Sequence, residues 1–113
     1  MQTEAIEQAK VIEFCKWKHY PVYAIPNGGR RDPKEAAFLK KSGVMAGVPD
    51  MCFPAARRGY HGLYIELKVG RNKPTEAQEK WLARLNNAGY CARVCWGSEE
   101  AIETINWYFG GNK

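Results

Sequence analysis

Strict alternation of apolar and polar residues over positions 63–69 constrains this chain more than any other feature. Successive side chains of a strand point to opposite faces, so Leu63, Ile65, Leu67 and Val69 share one side while Tyr64, Glu66 and Lys68 share the other. The apolar side needs a core. Upstream, a short apolar run over residues 50–53 reads as a second strand, and Arg57-Arg58-Gly59-Tyr60-His61-Gly62 supplies the turn chemistry between the two. The stretch 47–68 is therefore expected to be a β-hairpin that brings Asp50 close to Glu66, with Lys68 two residues further along the same face.

Two converging carboxylates with a lysine beside them suit metal-assisted hydrolysis of a phosphodiester. Magnesium takes oxygen ligands, usually one or two carboxylates with the remainder from water and substrate phosphate. It polarises a phosphoryl oxygen and activates a water. A neighbouring lysine can orient that water, or offset charge developing on the phosphate as a compact point charge. The plainer reading of the same residues is a strand end with a solvated glutamate and lysine.

Pro49-Asp50 followed by Glu66-Leu67-Lys68 resembles the PD-(D/E)xK nuclease motif. Its flanks, Gly43-Val44-Met45-Ala46-Gly47-Val48 before Asp50 and Thr75-Glu76-Ala77-Gln78 leading into Trp81-Leu82, resemble the VRR-NUC family of nucleases. The likeness extends over nearly the whole chain. It includes Glu4 and Gln8 on the first helix, Asn27-Gly28-Gly29 after the first strand, and Asn87-Ala88-Gly89-Tyr90 before the last. The resemblance implies a restriction-endonuclease-like core and cleavage of DNA, branched or junction DNA in particular, with magnesium or manganese. It assigns Asp50, Glu66 and the Leu67 backbone carbonyl to the metal, and Lys68 to catalysis. Gln78 matches the family's glutamine at the active-site edge. Glu4 matches its acidic residue on the first helix, a position that Glu7, one turn on, could fill instead.

At 113 residues the chain is expected to form one domain over 1–113, with about two-thirds of its surface buried on folding. Hydrophobic residues at 45% and charged residues at 26% are globular rather than disordered proportions. Seventeen Lys and Arg against twelve Asp and Glu give a net +5, which permits a polyanionic partner such as DNA. No apolar run approaches the ~18 residues of a membrane span, so no membrane partner and a cytoplasmic rather than secreted setting are expected. Cys15, Cys52, Cys91 and Cys95 form no Cys-x-x-Cys pair, and His19 and His61 stand apart. Buried free thiols are expected, not a zinc site.

In chain order, Thr3 caps a first helix reaching about residue 18, with Ile6, Ala9, Ile12 and the Cys15 to Trp17 turn as its apolar positions. A strand over 22–25 follows. Pro33 then opens a short helix that ends at Ser42-Gly43. Arg30, Arg31, Lys34, Lys40 and Lys41 precede Asp50, and Arg71 and Lys73 sit in the loop 70–74; these are the candidate contacts to DNA phosphates, the alternative being a solvated charged surface. Thr75 begins a helix with Ala77, Trp81, Leu82 and Leu85 as its stripe. Thr75 and Gln78 form a capping box, which gives the glutamine a purpose besides chemistry. Gly89 ends that helix, and a strand over 90–96, parallel or antiparallel to the Glu66 strand, comes next. Ser98 is expected to cap the last helix. Its residues Ala101, Ile102, Ile105, Trp107, Tyr108 and Phe109 are apolar enough for the core or for a homodimer interface.

The expected architecture is α/β, a restriction-endonuclease-like core with a mixed central sheet of about four strands and helices on both faces. The expected function is a metal-dependent DNA endonuclease working as a homodimer. A DNA-binding module of the same fold without chemistry is the competing class. A hydrolase of small phosphate compounds is disfavoured by the basic loops and by the absence of a phosphate-cradling glycine motif.

Overall fold

The computed structural model describes residues 2–26 and 32–110, so Arg30, Arg31 and Asn27-Gly28-Gly29 lie outside the described residues. Its elements are helix α1 (Glu4–Lys18), strand β1 (Tyr23–Ala24), helix α2 (Pro33–Lys41), strands β2 (Met51–Phe53) and β3 (Leu63–Lys68), helix α3 (Glu76–Asn87), strand β4 (Cys91–Trp96) and helix α4 (Gly97–Tyr108). The strands form one mixed sheet in the order β1-β2-β3-β4. β2 and β3 are the expected hairpin, with Met51 opposite Ile65 and Phe53 opposite Leu63. Arg58 and Gly59 both take positive φ in its turn, the backbone that a tight hairpin connection requires. β4 runs parallel to β3, from Leu63 opposite Cys91 to Lys68 opposite Trp96. That direction, left open by the sequence, follows from α3, because parallel neighbours need a long crossover and antiparallel ones do not.

Leu63, Ile65 and Leu67 do face a core. They meet Met51, Phe53, Cys91 and Cys95 from the sheet, Val11 and Cys15 from α1, and Ala101, Ile105 and Tyr108 from α4. α3 lies outside this cluster and packs on β4. There the Asn86 side chain holds the Ala92 backbone at both groups, donating to its carbonyl at 3.1 Å and accepting from its N–H at 2.9 Å. All four cysteines are free and buried, and burial pushes the Cys15 thiol up to about 11. Among the described residues no helix is long and apolar enough to cross a membrane.

Three expectations about the helices need correction. The buried stripe of α1 is Glu7, Val11 and Cys15, while Ile6, Ala9 and Trp17 are exposed. On α3, Leu85 is buried, Trp81 and Leu82 are half-buried, and Ala77 is exposed. Ser98 does not cap α4. It lies inside the first turn, and its N–H donates to Glu7 Oε1 at 2.8 Å while Glu7 Oε2 accepts from Lys10 Nζ at 3.0 Å. The first and third of these have one cause: a helix N-terminus attracts an anion, and Glu7 supplies it from across the fold, which draws a charged residue into the inner line of α1.

The apolar end of α4 is covered by the chain itself. Tyr108 Oη donates to the Ala55 carbonyl at 2.7 Å and accepts from the Arg57 N–H at 3.3 Å. The Trp107 ring has the guanidinium groups of Arg58 and Arg93 each 4.7 Å from its centroid, and Tyr20 stacks on Phe109 at 4.2 Å. None of the exposed large hydrophobic residues lies on α4.

The Ser98 N–H first, and Lys10 after it, hold the Glu7 carboxyl down at about 2. A carboxyl lowered on folding contributes stability above its unfolded value of about 4.5, and that contribution is lost as pH falls towards 2. Glu7→Gln keeps an acceptor for Ser98 but loses the charge. This variant is expected to be less stable than the parent at pH 7 and to converge with it near pH 2. Denaturant midpoints across that range test it, and a difference that stays constant with pH would remove the charge from the account.

Candidate active site

The site forms where the β2–β3 ladder runs out. Asp50 immediately precedes β2, and continuing the register of Met51 opposite Ile65 sets it across from Glu66, on the same face. Its carbonyl accepts from the Ile25 N–H at 2.8 Å, which ties it to β1, and its Oδ2 accepts from the Leu67 N–H at 2.8 Å. Past the last ladder pair, a carboxylate thus takes the donor that a longer β2 would have satisfied. The hydrogen bond fixes the Asp50 carboxylate on the strand that carries Glu66.

Glu66 and Lys68 are not the solvated strand end that the alternation suggests. Their exposures are 1% and 6%, so β3 is buried on both faces. Lys68 Nζ lies 3.5 Å from Glu66 Oε2, and Glu66 Oε1 is buried with no hydrogen-bond partner. Burial, followed by the negative charge of Asp50, pushes the Glu66 carboxyl up to about 8; Lys68 pulls the other way, and Glu4 adds a smaller upward push. An unsatisfied buried polar atom costs about 1–3 kcal/mol. A buried ion pair returns little net stability against well-packed apolar side chains. Such an arrangement does not serve the core.

Of the two glutamates weighed for the first helix, Glu7 is committed to Ser98 and Lys10, whereas Glu4 is half-buried and acts on Glu66 through its charge. Among the described residues no three His, Cys, Asp or Glu side chains gather into a group that could hold a metal ion. The capping box of α3 is formed. Gln78 Oε1 accepts from the Thr75 N–H at 2.8 Å, and the Gln78 N–H donates to Thr75 Oγ1 at 3.1 Å. This turn lies against the loop leading to Asp50: Gly47 has φ +94°, and a Cβ there would meet the Ala77 backbone at 2.8 Å. The glycine lets loop and helix touch. Lys34, Lys40, Lys41, Arg71 and Lys73 are all exposed, and α2 buries none of its residues.

The parallel register adds one side chain, Trp96, to the face on which alternation already placed Tyr64. Trp96 lies opposite Lys68, and Tyr64, opposite Cys52, sits on the same face two residues before Glu66. The Tyr64 ring meets Tyr90 edge-on at 5.3 Å, and burial is the main reason its phenol is pushed up to about 12. Strand direction was the missing information, since without it Trp96 has no neighbour.

Comparison with known proteins agrees with this geometry. The sequence profile of the VRR-NUC domain matches residues 2–99. None of the curated proteins matches the chain. A solved structure described as a VRR_NUC domain protein is 33% identical and superposes with a TM-score of 0.81, over 96% of this chain and 88% of that one. A four-stranded mixed sheet with Asp50, Glu66 and Lys68 at the end of its hairpin, a match over most of the sequence and a close structural relative together place the chain in the VRR-NUC domain family, with its nuclease fold.

Proposed function

We propose that the chain is a divalent-metal-dependent DNA endonuclease that hydrolyses phosphodiester bonds, with magnesium or manganese as cofactor and branched or junction DNA as substrate. The observation that carries the reading is Glu66 Oε1, a buried acceptor without a donor, on a carboxyl that burial and then the negative charge of Asp50 drive up to about 8. Buried groups shifted this far by desolvation and a specific charged neighbour concentrate at functional sites. A hard cation fits the donor set: Asp50 and Glu66, with the Leu67 carbonyl beside them, offer oxygens only, and magnesium completes its shell with water and phosphate. When bound, it supplies Lewis-acid polarisation of the phosphoryl oxygen and a more acidic water.

The protein's own groups do the positioning. The Leu67 N–H holds Asp50 Oδ2 in place, and Lys68 Nζ keeps Glu66 Oε2 oriented, its charge being available to a non-bridging phosphate oxygen of the substrate. Burial of both side chains makes each of these charges act more strongly than it would in water. A binding-only module would have no use for a buried Glu66 and Lys68, which cost stability. Arg30, Arg31, Lys34, Lys40, Lys41, Arg71 and Lys73 are the proposed phosphate contacts. Family resemblance supports the branched substrate, and paired incisions would call for a homodimer. Among the described residues, Ile6, Trp17, Tyr23, Phe38, Met45 and Trp96 are large exposed hydrophobic side chains that such a dimer could cover.

Metal binding and catalysis separate by mutation. Asp50→Ala is expected to abolish both cleavage and the calorimetric signal of manganese. Because Lys68 is buried, Lys68→Met, which keeps the bulk of the stem, is the cleaner change. It is expected to retain manganese and DNA while losing about 10²- to 10³-fold in cleavage rate, since one preorganised charge is removed from the transition state. Parental cleavage by Lys68→Met, or parental manganese affinity in Asp50→Ala, would overturn the assignment.

Raising a carboxyl to about 8 means that the folded, metal-free chain holds a proton which the unfolded chain releases near 4.5, so its stability falls as pH rises between those values. A cation must displace that proton. Manganese affinity is therefore expected to rise from pH 6 to pH 8, and binding heats at pH 7 to vary with the ionisation enthalpy of the buffer, in proportion to about one released proton. Glu66→Gln should remove the buffer dependence. Identical heats for the parent in all buffers would mean that Glu66 is already ionised.

A further inference from the structure

We propose that Trp96 is a base-stacking residue that selects a DNA strand whose base beside the scissile phosphate is unpaired. The inference rests on the reading of Asp50, Glu66 and Lys68 as the place where that phosphate sits. Trp96 closes the β3–β4 ladder opposite Lys68, so its side chain emerges on the same face of the sheet, one strand spacing of about 4.8 Å away. Of the ladder residues on that face, Tyr64, Glu66, Lys68, Ala92 and Val94 are buried or half-buried. Trp96 is 41% exposed.

Its position is fixed at both ends. The backbone N–H donates to Glu100 Oε1 at 2.7 Å, and the indole Nε1–H donates to the Asn72 carbonyl at 2.7 Å. The one polar group of the indole is thereby used, and what remains for a ligand is an apolar π-face whose orientation is already set. Asn72 stands between Arg71 and Lys73, both exposed, so the same hydrogen bond draws a cationic loop alongside the ring. A held aromatic ring, flanked by cations and next to a phosphate-binding lysine, is how single-stranded nucleic acid is gripped. A base inside a duplex is stacked on both sides and offers no face. An unpaired base does.

Stacking on one aromatic residue is worth about 5- to 150-fold in affinity per base. The test is equilibrium binding of the full chain, in chelator, to a fluorescent single-stranded oligonucleotide in which each base in turn is replaced by an abasic site. For the parent, one position is expected to lose affinity by about that factor. Trp96→Ala should bind the intact strand as weakly as the parent binds the abasic one, and should be indifferent to the abasic replacement. Trp96→Phe keeps a ring without the tie to Asn72, and should retain the position dependence. The proposal is overturned if no abasic position matters to the parent, or if Trp96→Ala and the parent respond alike at every position. Cleavage is scored separately with magnesium or manganese: a chain that shows the Trp96 pattern but cuts no DNA would sink the nuclease reading and leave the stacking residue standing.

Discussion

β3 has neighbours on both edges and cover on both faces, and the rest of the structure is arranged to satisfy that. With β2 on one side and β4 on the other, its backbone is paired almost throughout, so what varies along it is only what its side chains meet. Leu63, Ile65 and Leu67 meet a core built by α1 and α4. Glu66 and Lys68 are enclosed almost as fully, paired with each other while Asp50 and, more weakly, Glu4 act on the Glu66 charge. Because β2 stops at Met51, the Leu67 N–H would be orphaned if Asp50 Oδ2 did not accept it. The hydrogen bond that completes the strand is therefore the one that sets two carboxylates against each other. Fold and site share a single constraint.

The charges of this chain divide into those it uses on itself and those left for a partner. Glu7 and Lys10 are spent on the N-terminus of α4, joining the first and last helices. Arg57, Arg58 and Arg93 lie over the aromatic end of α4, and Arg84 lies over Trp81. These guanidinium groups cover apolar surface that would otherwise be exposed, a task their flat, weakly hydrated form suits. The positive side chains without such duties are mostly lysines on α2 and the residues of the loop 70–74, close in sequence to Asp50 and Lys68 respectively. A net +5 thus understates how unevenly the available charge is spread.

Features governed by local chemistry could be read from the sequence. Thr3 and Thr75 cap their helices, Gly89 ends α3 with φ +99°, and the two-residue alternation of β3 separates Leu67 from Glu66 and Lys68 as expected. Resemblance then supplied the family, and with it the proposed roles of Asp50, Glu66 and Lys68, which alternation alone could not distinguish from a solvated strand end. What stayed hidden involves partners far apart in the chain. Nothing near Glu7 announces Ser98, 91 residues away, and the charge at that position disguised the true buried line of α1. Arg58 and Arg93 gave no sign that they would lie over Trp107. The parallel pairing that sets Trp96 beside Lys68 depends on where α3 crosses, which no pattern within β4 records.

Enclosing Glu66 and Lys68 creates a conflict that the shifted carboxyl resolves. A low-dielectric setting strengthens the pull of Lys68 on a phosphate, but it equally strengthens the repulsion between Glu66 and Asp50. Burial and the charge of Asp50 push the Glu66 carboxyl up, towards its neutral form, which lessens the buried negative charge beside Asp50. On the proposed reading, ionisation is coupled to the arrival of positive charge, because a cation at Glu66 Oε1 would both replace the proton and satisfy the acceptor that lacks a donor. The same burial that sharpens the chemistry would thus favour the neutral carboxyl until the cofactor is present, and this explains why an orphaned carboxylate oxygen is tolerated inside an otherwise well-paired sheet.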